Sequence, residues 1–481
     1  MDSVNNTKKT KIVATIGPAT SSEEMLTRLL QEGLNVMRIN FSHGDFAEHQ
    51  VKIDNLKKAT KKTGITAATM QDLGGPKIRI GDFEKGLIVL KEGQTFILTT
   101  ESIVGNEEKV SVNYMPLPKE VKKGGFILLH DGKKKLEVID IKGNNIICKV
   151  IVGGEIKNKR GINLPGAHLS ISSLTDKDKK DLEFGIKNKV DFVAFSFVRR
   201  ASDIKELRAI LDKANRKETK IIAKVEDVEG LENIDEIISL VDGVMIARGD
   251  MAIEIGAENV PMVQKSIIKK CNELGKIVIT ATHMLESMIK SPVPTRAEVS
   301  DIANAIIDGT DAIMLSEETA LGEYPIESVK LMTKVAQKIE NDIFYKEQVV
   351  DMQKKKHSMI SDNIADAVTN EVVDIANAVG AKAIISLTQS GSTARMIARY
   401  KPLQTHIAMT PNAITHNQLL FTFGVTPVII KKVNTMSEIV AVAKSYCVKN
   451  KIAQKGENIV IAIGMPFGKK ISTNMILVEK I

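Results

Sequence analysis

Cysteine, aromatic residues and long apolar runs are scarce in this chain of 481 residues. The three cysteines are odd in number and far apart, so the sequence predicts neither a disulfide framework nor a zinc site; they are Cys148, Cys271 and Cys447. No apolar run reaches the ~20 residues that a membrane-spanning helix needs. Residues 1–9 lack the apolar core of a signal peptide. We therefore expect a cytoplasmic protein without a membrane partner.

The basic residues lack the pattern of a nucleic-acid-binding surface. The formal net charge is +8, but the basic runs Lys133–Lys135 and Lys354–Lys356 are short and contain no interleaved aromatic residues. Such runs are typical of solvated lysines, so we expect no nucleic-acid partner. The positive balance suits anionic substrates.

Short apolar strands alternate with amphipathic helical patterns over most of the chain. Eight such units predict an α/β fold, a closed (β/α)8 TIM barrel with its active site at the carboxyl ends of the strands. The predicted strands are 11–17, 35–41, 66–73, 191–198, 220–226, 243–250, 276–284 and 311–317. Helices are predicted at 23–32, 203–215, 231–241 and 326–342.

Two further segments do not belong to the barrel pattern. Between the third and fourth strands, glycine, lysine and short alternating strands such as 87–90 and 145–152 predict an inserted small β-barrel domain that can close as a lid. After a polar, lysine-rich join at 346–358, strands at 382–387, 406–409, 425–430 and 458–463 predict a C-terminal open α/β domain. The predicted domains are therefore 1–75 with 170–345 (barrel), 76–169 (inserted) and 346–481 (C-terminal).

Two neighbouring strands of the predicted barrel end in charged residues. Lys224 and Glu226 lie two apart on one strand, so their side chains share a face, and Asp250 is placed at the matching end of the next strand. Charges at the mouth of a buried sheet are costly unless they pair or bind a metal ion. A divalent ion held by the two carboxylates, with the lysine beside it, suits phosphate chemistry.

Other strand ends are also unusually polar. Any one of these residues, taken alone, is explained as a hydrogen-bonded residue at a barrel rim. Together they converge on one face, as catalytic residues of a barrel do. They are Arg38, Asn40 and Ser42 on the second strand, Asp72 on the third, Thr282 on the seventh and Ser316 on the eighth.

The motifs at these strand ends resemble those of the pyruvate kinase family, in the family's order and along nearly the full chain. They are KIVATIGP (11–18), RINFSHG (38–44), DLGGPKIR (72–79), IAKVE (222–226), ARGD (247–250), TATHMLESM (280–288), PTRAE (294–298) and SEETA (316–320). The resemblance implies phosphoryl transfer from phosphoenolpyruvate to ADP, which gives pyruvate and ATP.

The resemblance also implies roles for individual residues. Glu226 and Asp250 would hold Mg²⁺, or Mn²⁺ in its place. The backbone N–H groups of Gly249 and Asp250 would bind the substrate carboxylate, and Arg38 and Lys224 would neutralise the transferred phosphoryl group. The hydroxyls of Thr282 and Ser316 would line the face where the enolate is protonated, although neither is a strong acid.

Three cations resemble family positions near the nucleotide, namely His43, Arg79 and Arg160. Arg160 stands where a lysine is common in relatives, and either cation can meet a phosphate. Solvated charge on the lid is the alternative interpretation of Arg160 and its neighbour Lys159.

The sequence departs from the family where many members bind K⁺. Those enzymes carry Asp-Thr-Lys-Gly-Pro-Glu-Ile-Arg after the third strand, and their Asn, Ser and Asp side chains, with a Thr, surround the ion. This chain keeps Asn40, Ser42 and Asp72 but has Leu73 for the threonine and Lys77 for the glutamate. A tethered ammonium can supply the charge of a free K⁺, so we expect that K⁺ is not required. The alternative is that Lys77 faces solvent at the lid hinge.

A hydroxyl-rich loop in the C-terminal domain predicts a phosphate site. A strand that runs through hydroxyls and glycine into a helix can cradle a phosphate with N–H groups, and in relatives this region binds a sugar-phosphate activator. The residues are Thr388, Ser390, Gly391, Ser392 and Thr393, with the loop 464–473 nearby. We expect a sugar-phosphate or nucleoside-monophosphate activator; an ordinary helix cap is the alternative. The resemblance also implies a homotetramer.

Two other functions compete with this interpretation. The first is another Mg²⁺-dependent barrel enzyme of phosphoenolpyruvate or oxoacid chemistry, such as an aldolase or mutase, which would not need the inserted domain or the motif at 38–44. The second is a metabolite sensor without catalysis, against which the complete set of candidate catalytic residues argues.

Overall fold

The chain begins with three strands and two helices of the barrel. The structure, a computed structural model, describes residues 8–356, 363–466 and 472–481. Helix α1 follows Ser22, whose side chain accepts a hydrogen bond from the Met25 N–H, and α2 ends at Gly64 with a φ of 71°. These caps stop each helix before the next strand. The elements are β1 (Lys11–Thr15), α1 (Glu23–Gln31), β2 (Val36–Asn40), α2 (Phe46–Thr63) and β3 (Ala68–Asp72).

An inserted domain of mainly β structure follows β3. Its elements are β4 (Leu87–Leu90), β5 (Thr95–Thr99), β6 (Lys109–Ser111), α3 (Leu117–Glu120), β7 (Phe126–Leu129), β8 (Lys134–Lys142), β9 (Asn145–Val152), β10 (Gly154–Lys157) and β11 (Ile162–Asn163). They form a six-stranded sheet, β11-β7-β8-β9-β5-β6, and a two-stranded sheet, β10-β4. The domain has its own core, which includes Phe96, Leu98 and Leu136. The insertion is thus a β domain, as predicted, although its strands form two sheets and not one closed barrel.

The chain then completes the barrel. The elements are α4 (Asp176–Asn188), β12 (Phe192–Phe195), α5 (Ala201–Lys213), β13 (Lys220–Val225), α6 (Val228–Glu232), α7 (Ile234–Leu240), β14 (Gly243–Ala247), α8 (Arg248–Ile255), α9 (Val260–Glu273), β15 (Ile277–Ala281), α10 (Arg296–Ile307), β16 (Ala312–Leu315), α11 (Glu317–Ala320) and α12 (Pro325–Asn341), with 3₁₀ turns at Ala257–Asn259 and Glu286–Ile289. Eight parallel strands close in the order β1-β16-β15-β14-β13-β12-β3-β2. The predicted barrel is confirmed.

Two sequence predictions about these elements were wrong in detail. Pairing of β14 with β15 stops at Ala247, and the backbone turns into α8 at Arg248, so Asp250 lies in the first turn of a helix and not on a strand. The predicted helix 231–241 is divided in two at Asn233, whose side chain donates a hydrogen bond to the Arg199 carbonyl.

A second α/β unit follows the barrel. Its elements are α13 (Ile343–Lys356), α14 (Ile364–Ala378), β17 (Ala383–Leu387), α15 (Ser392–Ala398), β18 (Thr405–Thr410), α16 (Ala413–Leu419), β19 (Val425–Ile429), α17 (Met436–Lys449), β20 (Asn458–Ile463) and β21 (Met475–Lys480). The sheet order is β19-β18-β17-β20-β21, and the last strand, which the sequence did not reveal, is antiparallel. The join predicted at 346–358 is helical as far as Lys356, because Tyr345 and Val349 pack into the core beside the barrel.

The C-terminal unit docks on the end of the barrel opposite the active site. Phe421 is fully buried among the side chains that fill the barrel, and its ring meets Phe192 edge-on at 5.0 Å between centroids. Beside it, the ammonium of Lys401 lies 2.5 Å from Asp311 of the barrel and 4.1 Å from the Phe423 ring centre.

We propose the domain division 1–75 with 170–345, 76–169 and 346–481, which the three sets of sheets support.

None of the helices in the described ranges is both long enough and apolar enough to span a membrane.

Substituting Lys401 tests how strongly this buried ion pair joins the two units. Lys401→Met leaves the Asp311 carboxylate buried beside a methionine, so we expect the free energy of unfolding to fall by about 3–5 kcal/mol. Thermal and urea unfolding measure the loss. Lys57→Met is the matched control, because Lys57 and Asp54 form an exposed pair at 3.0 Å that contributes about 0–1 kcal/mol. Equal losses in the two variants would contradict this role of the buried pair.

Candidate active site

The predicted site residues gather at the carboxyl ends of the barrel strands. Arg38 lies near the end of β2, Asp72 ends β3, and Lys224 lies near the end of β13. Because parallel strands of a barrel end on one face, these side chains meet although they are distant in sequence.

Arg38 and Asp72 form a buried ion pair. Nε of Arg38 lies 2.6 Å from Oδ2 of Asp72, and its Nη1 donates to the Thr15 hydroxyl at 2.7 Å. Burial opposes the charge on Asp72, but the cations of Arg38 and Lys224 outweigh it and lower the pKa of this carboxyl. Asp72 therefore stays ionised and holds both cations at the mouth of the barrel.

Lys224 has three partners for its ammonium group. Its Nζ lies 3.3 Å from Oδ1 of Asp72 and 3.0 Å from Oε1 of Glu226, and it donates to the hydroxyl of Ser196 at 2.7 Å. Burial disfavours the charge, yet the two carboxylates outweigh it and raise the pKa of Lys224 to about 12. The lysine is thus a fixed positive charge and not a proton donor.

Glu226 and Asp250 fit the requirements of a hard divalent cation. Glu226 is only 2% exposed, and burial together with the Asp250 charge raises its pKa despite Lys224. Lys224 alone therefore does not offset burial and the Asp250 charge, and a metal ion would supply further positive charge to this pair of carboxylates. Among the described residues, no three His, Cys, Asp or Glu side chains form a metal-ligand group. Two carboxylates suit Mg²⁺, which takes its other ligands from water and substrate phosphate.

The first turn of α8 faces the β15 loop. The Gly249 N–H donates to the Thr282 hydroxyl at 2.8 Å, and that hydroxyl donates to the Ala281 carbonyl at 2.6 Å. Arg248 holds the same loop through the carbonyls of Ala281 and Thr282. Thr282 has a φ of 68°, a strained conformation for a β-branched residue. The Gly249 N–H that the sequence assigned to a substrate carboxylate is therefore paired with Thr282 in this structure.

Ser316 follows β16 and is tied to the rim by Glu318. The Glu318 carboxylate accepts hydrogen bonds from the Ser316 N–H at 2.7 Å and the Leu285 N–H at 3.1 Å. Glu318 therefore joins the loops that follow β15 and β16. These two loops carry Thr282 and Ser316.

Further cations surround the mouth on the side of the inserted domain. Loss of solvent, followed by the charges of Lys77, Arg79 and Arg38, lowers the pKa of His43. Arg79 donates to the Lys159 carbonyl at 3.0 Å, and the Ile80 N–H to the Arg160 carbonyl at 3.0 Å. The structure thus brings His43, Arg79 and Lys77 within range of one another and places Arg160 beside Arg79.

Lys77 acts on the site through its charge. Its side chain is exposed, as the alternative interpretation expected, but partial loss of solvent and the cations of Lys224 and Arg79 lower its pKa, while Asp250 and Glu226 oppose this. Leu73 is fully buried in apolar surroundings, and Asn40 accepts the Ser42 N–H at 3.0 Å. The region predicted for a monovalent cation therefore has a buried leucine at one of its predicted positions and an ammonium nearby.

Comparisons with known proteins identify the family of the chain. A sequence profile of the pyruvate kinase barrel domain matches residues 7–329, and a profile of the pyruvate kinase alpha/beta domain matches residues 366–479. The chain belongs to the pyruvate kinase family. It is 46% identical over 470 residues to the pyruvate kinase of Staphylococcus saprophyticus, and the aligned region covers 97% of this chain and 80% of that relative.

Other members of the pyruvate kinase family agree over the whole chain. The pyruvate kinase of Clostridium perfringens is 44% identical over 475 residues, which covers 98% of this chain and 100% of that one. A crystal structure of a pyruvate kinase from Cryptosporidium parvum matches with a TM-score of 0.94 at 36% identity, covering 99% of this chain and 97% of that one.

The hydroxyl-rich loop lines a cavity at the other end of the molecule. The cavity has a volume of about 650 Å³ and lies between the C-terminal unit and barrel residues that include Lys217 and Lys220. Gly391, with a φ of 81°, donates its N–H to the Thr388 hydroxyl at 2.9 Å, and no side chain of the described residues caps α15. Residues 467–471 of the second predicted loop lie outside the described residues. The predicted loop residues in the lining are Thr388, Ser390, Ser392 and Thr393.

Sequence reasoning missed four residues that hold the site together. Ser196 and Phe197 follow β12, Thr15 ends β1, and Arg248 begins α8. For Ser196 and Thr15 the signal was present, since each is a polar residue near the end of a predicted strand, the feature that identified the others. Phe197 contributes only its backbone N–H, which sequence does not reveal.

Proposed function

We propose that the chain catalyses phosphoryl transfer from phosphoenolpyruvate to ADP, giving pyruvate and ATP, as the last step of glycolysis. The observation that carries the proposal is the buried set of Arg38, Asp72, Lys224 and Glu226 at the barrel mouth. Two fixed cations can stabilise the negative charge of a phosphoryl group during its transfer, and the neighbouring carboxylates suit a metal ion. Membership of the pyruvate kinase family supports the same reaction.

Arg38 and Lys224 carry the charge stabilisation in this proposal. Lys224 stays protonated at neutral pH because its pKa is raised, and Arg38 is held in place by its pairing with Asp72. Fixed charges in a largely water-excluded site require no reorganisation as the phosphoryl group moves. These two residues would hold its equatorial oxygens.

Pyruvate kinases need a divalent metal ion, and we propose Mg²⁺, with Mn²⁺ as a substitute, held by Glu226 and Asp250. When bound, the ion supplies positive charge to the substrate's carboxylate and phosphate oxygens. In the proposal the substrate carboxylate binds the N–H groups of Gly249 and Asp250. It must then displace the Thr282 hydroxyl from the Gly249 N–H.

The hydroxyls of Thr282 and Ser316 are proposed to line the face where the enolate receives its proton. The nucleotide phosphates are proposed to meet His43, Arg79 and Arg160, the cations on the side of the inserted domain. We also propose a cytoplasmic homotetramer, which the resemblance to the family supports.

A coupled assay tests the proposal. Pyruvate formation from phosphoenolpyruvate should depend on both ADP and Mg²⁺. Turnover of phosphoenolpyruvate without ADP would favour an aldolase- or mutase-like reaction. Binding of phosphoenolpyruvate without any turnover would favour a sensor.

Replacing Lys224 should separate catalysis from binding. In Lys224→Met the cation is lost where the phosphoryl charge moves, so we expect kcat to fall by about 100-fold or more while the KM for phosphoenolpyruvate changes far less. Steady-state kinetics measure both constants. Lys11→Met is the control for substituting a buried barrel lysine, because Lys11 lies at the start of β1 and donates to the Val425 carbonyl at 2.8 Å. Equal changes in kcat and KM would contradict the assigned role.

We propose that Lys77 replaces K⁺. Leu73, which stands where the K⁺-binding relatives have a threonine, is buried in apolar surroundings, and the ammonium of Lys77 interacts with Glu226 and Asp250. The wild-type enzyme should therefore keep substantial activity in K⁺-free buffer with Mg²⁺. In Lys77→Glu, activity should fall without K⁺ and recover when K⁺ is added.

Lys91→Glu, which changes an exposed lysine of the inserted domain, is the matched control and should be insensitive to K⁺. A strict, saturable K⁺ requirement of the wild-type enzyme would refute the replacement.

We propose that the 650 Å³ cavity binds a phosphorylated activator, a sugar phosphate or a nucleoside monophosphate. The N–H groups at the start of α15 have no side-chain cap, and lysines from both units line the cavity, including Lys220 and Lys432. Such a site attracts phosphate.

Titrating sugar phosphates and AMP at low phosphoenolpyruvate tests the activator site. At least one compound should raise the rate, and Ser392→Asp should abolish the response, because its carboxylate repels phosphate. Ser437→Asp places the same charge in the first turn of α17 and should keep the response. No response of the wild-type enzyme to any compound would remove the proposal.

A further inference from the structure

Ser196 and Phe197, the two residues after β12, join Lys224 to Glu226. Ser196 is buried at 1% exposure; its hydroxyl accepts a hydrogen bond from Lys224 Nζ at 2.7 Å and donates to the Leu73 carbonyl at 2.7 Å. The donated proton fixes the hydroxyl, so its lone pairs face the ammonium. The Phe197 N–H donates to Oε2 of Glu226 at 2.7 Å.

The backbone of Phe197 is held in an uncommon conformation. Its φ is 52°, in the left-handed region that a non-glycine residue adopts only where its surroundings enforce it. The surroundings enforce it, because the Ser173 hydroxyl donates to the Phe197 carbonyl at 2.6 Å and the next N–H, of Val198, donates to the Lys224 carbonyl. In this conformation the Phe197 N–H points at Glu226.

Both chain segments that connect the barrel to the inserted domain lie against these two residues. Gly75, where the chain leaves β3 for that domain, has a φ of 66°, and a Cβ there would lie 2.9 Å from the side chains of both Ser196 and Phe197. Ser173, where the chain returns, makes the hydrogen bond to Phe197. The pair is therefore locked between the strand and the two connections.

We propose that Ser196 is a positioning residue, which fixes the Lys224 ammonium for phosphoryl transfer. A lysine ammonium has three donors on a flexible stem; here it lies 3.3 Å from Asp72 and 3.0 Å from Glu226 and donates a hydrogen bond to the Ser196 hydroxyl. Ser196 is the only uncharged partner of the three, and its hydrogen bond restrains the ammonium from moving further toward the carboxylates. Without it, the lysine moves toward Glu226 and competes with the metal ion. The proposal rests on the role of Lys224 in the proposed function.

The variant Ser196→Ala removes the hydroxyl without adding bulk. We expect kcat to fall about tenfold or more, with little change in the KM for phosphoenolpyruvate. Ser328→Ala is the matched control, because Ser328 is also fully buried and donates one hydrogen bond, to the Tyr324 carbonyl at 2.8 Å. The two variants should lose similar thermal stability, but only Ser196→Ala should lose kcat. Equal kcat in the two variants would overturn the proposal.

A double-mutant cycle and a metal titration isolate the mechanism. If Ser196 acts through Lys224, adding Ser196→Ala to Lys224→Met should cause little further loss of kcat, whereas additive losses would refute the proposal. Mn²⁺ binding, followed by electron paramagnetic resonance, should weaken in Ser196→Ala and stay unchanged in Ser328→Ala. Unchanged Mn²⁺ affinity in both would also count against it. Absence of ADP-dependent turnover in the wild-type enzyme would instead refute the proposed function, and the Mn²⁺ comparison would still test Ser196.

Discussion

Four charged side chains, buried together at the mouth of the barrel, are the constraint around which the site is arranged. Arg38 and Lys224 share Asp72, and Lys224 also meets Glu226. Burying these charges is costly, and each lies within 3.3 Å of an opposite charge. Asp72 pairs with both cations, whereas burial and the charge of Asp250 oppose the ionisation of Glu226. A divalent metal ion at Glu226 and Asp250 would offset that opposition.

The network depends on groups that carry no charge of their own. The hydroxyls of Thr15 and Ser196 fix the two cations, and the strained Phe197 backbone aims an N–H at Glu226. A buried ion network of this kind contributes little net stability compared with apolar residues of similar volume. Its presence is therefore best explained by the reaction, since fixed charges and dipoles are what transition-state stabilisation requires.

Much of this arrangement could be predicted from the sequence, because the barrel strands are short apolar runs with polar residues at one end. All eight strands were found from this pattern, and it also placed Arg38, Asp72 and Lys224 on one face. Asp250 was assigned to a strand because periodicity does not show where pairing stops. Pairing of β14 ends at Ala247, and α8 begins at the next residue, Arg248. The Phe197 N–H and the Gly249–Thr282 bond were missed since they are backbone contacts between distant segments. Helix α13 was not predicted because its lysine-rich sequence is typical of a linker, although Tyr345 and Val349 anchor the helix in the core.

The affinity for Mn²⁺ tests the central claim most directly, because the claim assigns Asp72 to the two cations and assigns Glu226, with the half-buried Asp250, to a metal ion. Mn²⁺ titrations should be compared for the wild-type chain, Glu226→Gln and Asp72→Asn. Glu226→Gln should lose at least about tenfold in affinity, since it removes a ligand charge. Asp72→Asn should lose much less, since Asp72 serves the two cations. Equal losses in the two variants, or a larger loss in Asp72→Asn, would contradict the account.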